Sequence, residues 1–168
     1  HNTLKGAGLR DQIKLGAAGK IVSAFDIARA TALGADWCNS ARGFMFALGC
    51  LQAQTCHSGH CPTGVTTQDP VRQQALRVPD KAERVYHIHR NTLKALQELV
   101  QAAGLSHPRD ISAQHIVRRV NENEVRLLAN LVPQMEVGAL LDRDVSTLHS
   151  VFKLYWPKAS ADSFTLQT

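Results

Sequence analysis

The chain has 168 residues, 44% of them hydrophobic, and a formal net charge of +5. That length holds a domain with a real core, and that composition argues against global disorder. No apolar run approaches the ~20 residues that span a bilayer, no signal-peptide pattern is present, and the basic residues are scattered rather than striped with aromatics, which argues against nucleic acid as a partner.

The chain begins His1-Asn2-Thr3 without methionine, so we expect a piece of a longer protein. Residues 13–18 are mostly apolar and bounded by Gly16 and Gly19, which reads as a buried strand. Residues 26–33 carry apolar side chains at helical spacing and end at Gly34, a plausible cap. Residues 35–39 read as a second strand, residues 40–42 as a turn, and residues 43–51 as a second helix. The order strand, loop, helix, strand, loop, helix implies parallel strands with helical crossovers. Two strands cannot close a sheet core, so further strands are expected elsewhere.

Residues 66–79 are polar. The strongest helix follows, with Asp80 as its expected cap and Glu83 in the capping-box position. Val85, Ile88, Leu93, Leu96, Leu99 and Val100 give it an apolar face, and Gly104 ends it. Another helix is expected over residues 122–131, capped by Asn121 and stopped before Pro133. The tail around Trp156-Pro157 reads as irregular.

Two loops place small residues between a strand and a helix. Gly19 and Lys20 lie in the first, Ala41, Arg42 and Gly43 in the second. Such loops let backbone N–H groups approach an anion, and a pair of them on adjacent parallel strands makes a phosphate cup. Strand-to-helix turns also need glycine for purely structural reasons.

Three of the four cysteines fall in CLQAQTCHSGHCPTG, residues 50–64, with the spacing Cys-x5-Cys-x4-Cys-Pro. Nothing marks export, which disfavours disulfides. Cys56, His57, His60 and Cys61 supply a zinc donor set by type, but the crowding of adjacent pairs is unusual for zinc. An iron–sulfur group needs several thiolates on a tight loop, and a terminal Cys-Pro often accompanies it. Cys38, on the second expected strand, suits a buried structural role.

The run from Gly19 to Pro70, containing both glycine loops and the cysteine motif, resembles the end of the FMN-binding domain of glutamate synthase. It is most similar to the stand-alone FMN-binding glutamate synthase family, as are residues 78–105 and the terminal Ala161-Asp162-Ser163-Phe164. The resemblance implies an α/β fold, namely the last two βα units of a TIM (β/α)8 barrel over residues 1–65, with an iron–sulfur loop at 50–61. A mostly helical C-terminal extension would fill residues 66–168. It implies that Cys50, Cys56 and Cys61 bind a [3Fe-4S] cluster. Gly19 and Lys20, with Ala41 and Arg42, would hold the FMN phosphate, and Ser23 is a candidate side-chain contributor. His57 and His60 become neighbours that can hydrogen-bond or line the approach. The family commonly carries Asp-Gly-Gly where this chain has Ala18-Gly19-Lys20, and a bulkier residue where it has Gly16.

In that family electrons pass from a donor protein or reductase subunit through the cluster to FMN, and a hydride then reduces 2-iminoglutarate, formed from 2-oxoglutarate and ammonia, to glutamate. No catalytic acid, base or nucleophile is assignable in this chain. A complete barrel takes about 250 residues, so this piece alone is expected to be inactive. The expected location is cytoplasmic, with an upstream membrane anchor left open. A related FMN and iron–sulfur oxidoreductase with another substrate, or a non-catalytic metal-binding module, are the competing expectations.

Overall fold

The computed structural model describes residues 1–142, 144 and 146–165. The elements are α1 (Asn2–Gly6), β1 (Gly16–Ala18), α2 (Ala24–Ala32), β2 (Trp37–Asn39), α3 (Arg42–Leu48), α4 (Pro70–Gln73) and α5 (Val78–Ala102), then β3 (Val117–Arg119), β4 (Val125–Leu127) and α6 (Ser150–Tyr155).

β1 and β2 pair in parallel, Gly16 opposite Trp37 and Ala18 opposite Asn39, with α2 as the crossover. The βαβα order expected from the sequence is therefore present. The strands are shorter and barer than expected. Ile13 lies outside the first strand at 39% exposure, and only the central residue of each strand is half-buried. The chain is α/β with few strands; its described residues form two two-stranded sheets and no closed barrel.

Gly16 has a specific reason to lack a side chain. A Cβ there would lie 2.6 Å from the Trp37 indole, which covers the glycine across the strand pair. The Trp37 side chain of the neighbouring strand fills the space a side chain on Gly16 would need. Asp36, just before β2, ties the unit to the preceding loop: its carboxylate accepts from the Leu15 N–H at 2.7 Å and from Arg10 at 2.8 Å. Arg10 also donates to the carbonyls of Ile13 and Gly34.

α5 is the long brace, packing against both α2 and α3. It starts at Val78 with Arg77 as cap and Pro79 in the first turn, where a missing N–H is harmless. Asp80 is therefore inside the helix rather than its cap, and it faces Lys81 and Arg84 at 3.5 Å. Leu96 and Val100 are buried against Ala24 and Ala28 of α2 and against Ile111, Ala113, Ile116, Leu128 and Ala129. Each large aliphatic side chain buried there stabilises the fold by roughly 1.5–3 kcal/mol. Leu93, expected on the buried face, is 49% exposed.

In place of the helix expected over residues 122–131, the chain forms the turn and second strand of a hairpin, then a short 3₁₀ turn at Leu128–Asn130. β3 and β4 pair antiparallel, Val117 opposite Leu127 and Arg119 opposite Val125. Asn121 acts as a turn residue, its side-chain oxygen accepting from the Asn123 N–H at 3.0 Å, while the Val120 N–H donates to the Glu124 carbonyl at 2.9 Å. Valines at 117, 120 and 125 favour the extended backbone on either side. The tail is also more regular than expected, with α6 followed by a short 3₁₀ turn at Trp156–Lys158. It folds back on α1: Leu140 N–H donates to the Gly6 carbonyl, Gly138 N–H to that of Lys5, and the Trp156 indole to that of Leu140.

Candidate functional site

The two glycine loops meet. A Cβ on Gly43 would lie 2.6 Å from Ser40 Oγ, 3.4 Å from Val22 Cα and 3.5 Å from the Ile21 carbonyl. The Ser40 hydroxyl donates to that carbonyl at 2.7 Å, so one hydrogen bond ties the loop after β1 to the loop after β2. Gly19 has φ +93° and open space where a side chain would be. Lys20 follows in the same left-handed region at φ +56°, which a lysine rarely adopts. Lys20, Ala41 and Arg42 are all exposed, so two cations border the joined loops.

Ser23 is the cap of α2. Its oxygen accepts from the Asp26 N–H, and its hydroxyl donates to the Asp26 carboxylate at 2.9 Å. That carboxylate also accepts from the N–H groups of Ser23 and Val22. The Ser23 N–H first, then its hydroxyl and the Val22 N–H, hold Asp26 below the usual carboxylate range against its desolvation. Behind the loops lies a mostly apolar cavity lined by Ile21, Cys38, Phe44, Ile88, His89 and Leu93, among others. Cys38 is half-buried there, and burial pushes its thiol up.

α3 ends at Gly49, φ +105°, and the cysteine loop begins at once. Cys50, Cys56 and Cys61 all line one small cavity, together with Met45, Pro62, Thr63 and Thr66. They differ in access: Cys61 is buried, Cys50 half-buried and Cys56 exposed. Gln52 and Gln54 have φ values of +56° and +59°, so the segment between the first two cysteines carries two strained residues. Such outliers concentrate where a ligand or a reaction requires them. The Gln52 N–H points at Cys50 Sγ at 3.5 Å, and Thr63 Oγ1 lies 3.5 Å from Cys61 Sγ. The loop is closed by Thr67 donating to the Gly59 carbonyl and by Gly64 packed on the Arg72 carbonyl.

The Cys61 thiol is pulled down to about 6, chiefly by the Thr63 hydroxyl and then by the N–H groups of Thr66 and Thr63, despite its burial. It is therefore prepared as a thiolate, the form that ligates metals. The three thiols surround a cavity without being drawn together. Among the described residues no group of three His, Cys, Asp or Glu side chains is gathered closely enough to hold a metal ion. The donor set is soft and suits iron–sulfur or zinc chemistry. His57 and His60 are exposed. Sequence reasoning overlooked Thr63 and Thr66; the threonine-rich run after the Cys-Pro pair was the available signal.

Comparison with known proteins supplies the context for this arrangement. A family model described as the conserved region in glutamate synthase matches residues 1–106. The "glutamate synthase large subunit-like protein YerD" of Bacillus subtilis is 43% identical over 131 residues, which is 78% of this chain and 25% of YerD. The "archaeal glutamate synthase [NADPH]" of Methanocaldococcus jannaschii is 32% identical over 74% of this chain and 25% of its own length. The "ferredoxin-dependent glutamate synthase 1" of Arabidopsis thaliana is 33% identical over 69% of this chain and 8% of its own length. The chain thus spans a quarter or less of these relatives. No helix among the described residues is long and apolar enough to cross a membrane.

Proposed function

The chain belongs to the family defined by the conserved region of glutamate synthase, and from that membership we propose that it is the cofactor-holding end of a glutamate synthase-like oxidoreductase dependent on FMN and a [3Fe-4S] cluster. The observation that carries this reading is the convergence of Cys50, Cys56 and Cys61 on one cavity directly after two joined βα units. In this reading β1 and β2 are the last two strands of a (β/α)8 barrel, and their open edges pair with strands from the remainder of the protein. Residues 66–168 form an extension that braces the barrel's outer helices through α5.

The thiolates of Cys50, Cys56 and Cys61 hold the cluster, and the buried Cys61 is the one made ready by its threonine neighbours. Lys20 and Arg42 would neutralise the FMN phosphate beside the backbone of Gly19 and Ala41, and Gly19 has open space where a side chain would be. Ser23 spends its hydroxyl on Asp26, so its part is to fix the start of α2 beside the phosphate rather than to donate to it. When bound, the two cofactors would supply the conversion of one-electron delivery from a donor protein or reductase subunit into hydride delivery to 2-iminoglutarate. The protein's own contribution is position and potential. The residues that hold the substrate lie on the remaining strands of the proposed barrel.

Turnover of the full-length protein with 2-oxoglutarate and either glutamine or ammonia tests the reading. Glutamate formation coupled to reductant oxidation is expected. An iron–sulfur flavoprotein that reduces other acceptors but never forms glutamate would overturn the substrate assignment.

A further inference from the structure

The cavity behind the joined loops has no part in the cofactor chemistry proposed above. It measures about 160 Å³, well beyond the water-sized voids that packed interiors usually leave. Ile21 and Val22 of the first loop, Ser40 and Gly43 of the second, Cys38 of β2 and a turn of α5 wall it. No lysine, arginine, aspartate or glutamate is among its described lining residues. The Ser40 hydroxyl is already committed to the Ile21 carbonyl at 2.7 Å, and an ordered water needs about 2–4 polar partners, so the space suits an apolar occupant better than water. The rings of Phe44 and His89 stand in its wall 6.0 Å apart and tilted by 39°. His89 and Leu93 are the described lining residues that are also exposed, so α5 carries the entrance. The exposure of Leu93 on an otherwise buried helix face follows from that opening.

We propose that this cavity is a binding site for a small, uncharged aromatic molecule about the size of benzene. An apolar cavity of about 150 Å³ walled by aliphatic and aromatic side chains stays dry and takes up benzene. A charged guest is disfavoured, because no opposite charge in the lining offsets its lost hydration. A planar guest can pack edge or face against Phe44 and His89. Since both loops contribute to the wall, a bound ring braces their junction from behind, and binding to the folded state alone raises stability. The site requires neither the cysteine cavity nor the phosphate loops to hold a cofactor.

The test is calorimetric titration of the full-length protein with benzene and with benzoate, alongside thermal unfolding in the presence of each. We expect saturable benzene binding with a dissociation constant at or below about 1 mM, a matching rise in unfolding temperature, and no binding of benzoate. Leu93→Trp narrows the entrance and should weaken benzene binding by about tenfold or more. Cys38→Leu fills the cavity from the opposite wall and should act in the same direction, which keeps the test open if the tryptophan variant fails to fold. Absence of saturable benzene binding up to its solubility limit overturns the proposal, as it would if another segment of the full-length protein filled the space. Benzene binding that survives unchanged in a folded Leu93→Trp or Cys38→Leu variant places the site elsewhere and overturns it too. Benzoate bound as tightly as benzene overturns the assigned ligand class.

Discussion

Gly43 offers the sharpest test of how the two loops are joined. Replacing it with alanine puts a methyl 2.6 Å from Ser40 Oγ, while the Val22 and Ile21 contacts at 3.4 and 3.5 Å are tolerable. The hydroxyl must therefore swing away and release the buried Ile21 carbonyl, to which it is bonded at 2.7 Å. Losing that bond costs about 0.5–1.5 kcal/mol, and up to ~3 if the carbonyl stays dry. Against this, alanine is better than glycine in a helix by up to ~1 kcal/mol. The net expectation for Gly43→Ala is a destabilisation of about 0.5–2 kcal/mol. In a Ser40→Ala background the obstacle is gone, and the same change becomes neutral or stabilising by up to ~1 kcal/mol. Urea unfolding of the four proteins of this cycle, at constant m-value, reads the coupling directly. Equal effects of Gly43→Ala in both backgrounds would refute the proposed dependence of the loop junction on this contact.

Other perturbations are equally specific. Lys20→Gly relieves a left-handed side chain at about 1–2 kcal/mol and adds glycine's entropic cost of roughly 0.5–1. It should therefore raise stability slightly while weakening FMN binding, as equilibrium unfolding and flavin titration would show; a gain in flavin affinity contradicts the phosphate role. Asp36 is held below its ordinary value of 3.8, first by the Leu15 N–H and then by Arg10. Its stabilising contribution is thus present above about pH 4 and lost as pH falls through its folded value. The advantage of wild type over Asp36→Asn in thermal unfolding should stay constant from about pH 5 to 7 and shrink below about pH 4. Gly16→Ala must push aside an indole that is half exposed, so stability should fall little while Trp37 fluorescence shifts to the red.

The sequence was most readable where one local rule sufficed. The βαβα order followed from apolar runs punctuated by glycine, and the long helix α5 from its periodicity. The hairpin was misread because Asn121 serves equally as a helix cap or a turn residue; the flanking valines, not the asparagine, decide the outcome. Asp80 was misread as a cap because Pro79 is itself compatible with the first helical turn. In the site, the cysteine spacing exposed the candidate ligands, but the left-handed Gln52 and Gln54 left no trace in composition. Nor could spacing reveal that Thr63 and Thr66 line the cysteine cavity, since that depends on how the chain closes around Gly59 and Gly64. The exposure of both strands is likewise a tertiary property, set by which neighbours pair with their edges.

The central claim is that Cys50, Cys56 and Cys61 together hold an iron–sulfur cluster. Iron, zinc and acid-labile sulfide analysis of anaerobically prepared full-length protein, with its visible spectrum, tests it most directly. The account predicts iron and sulfide in the proportions of a [3Fe-4S] group, with broad visible absorbance that disappears in Cys61→Ser. A colourless protein carrying stoichiometric zinc, or a cluster that survives replacement of all three cysteines, would contradict it.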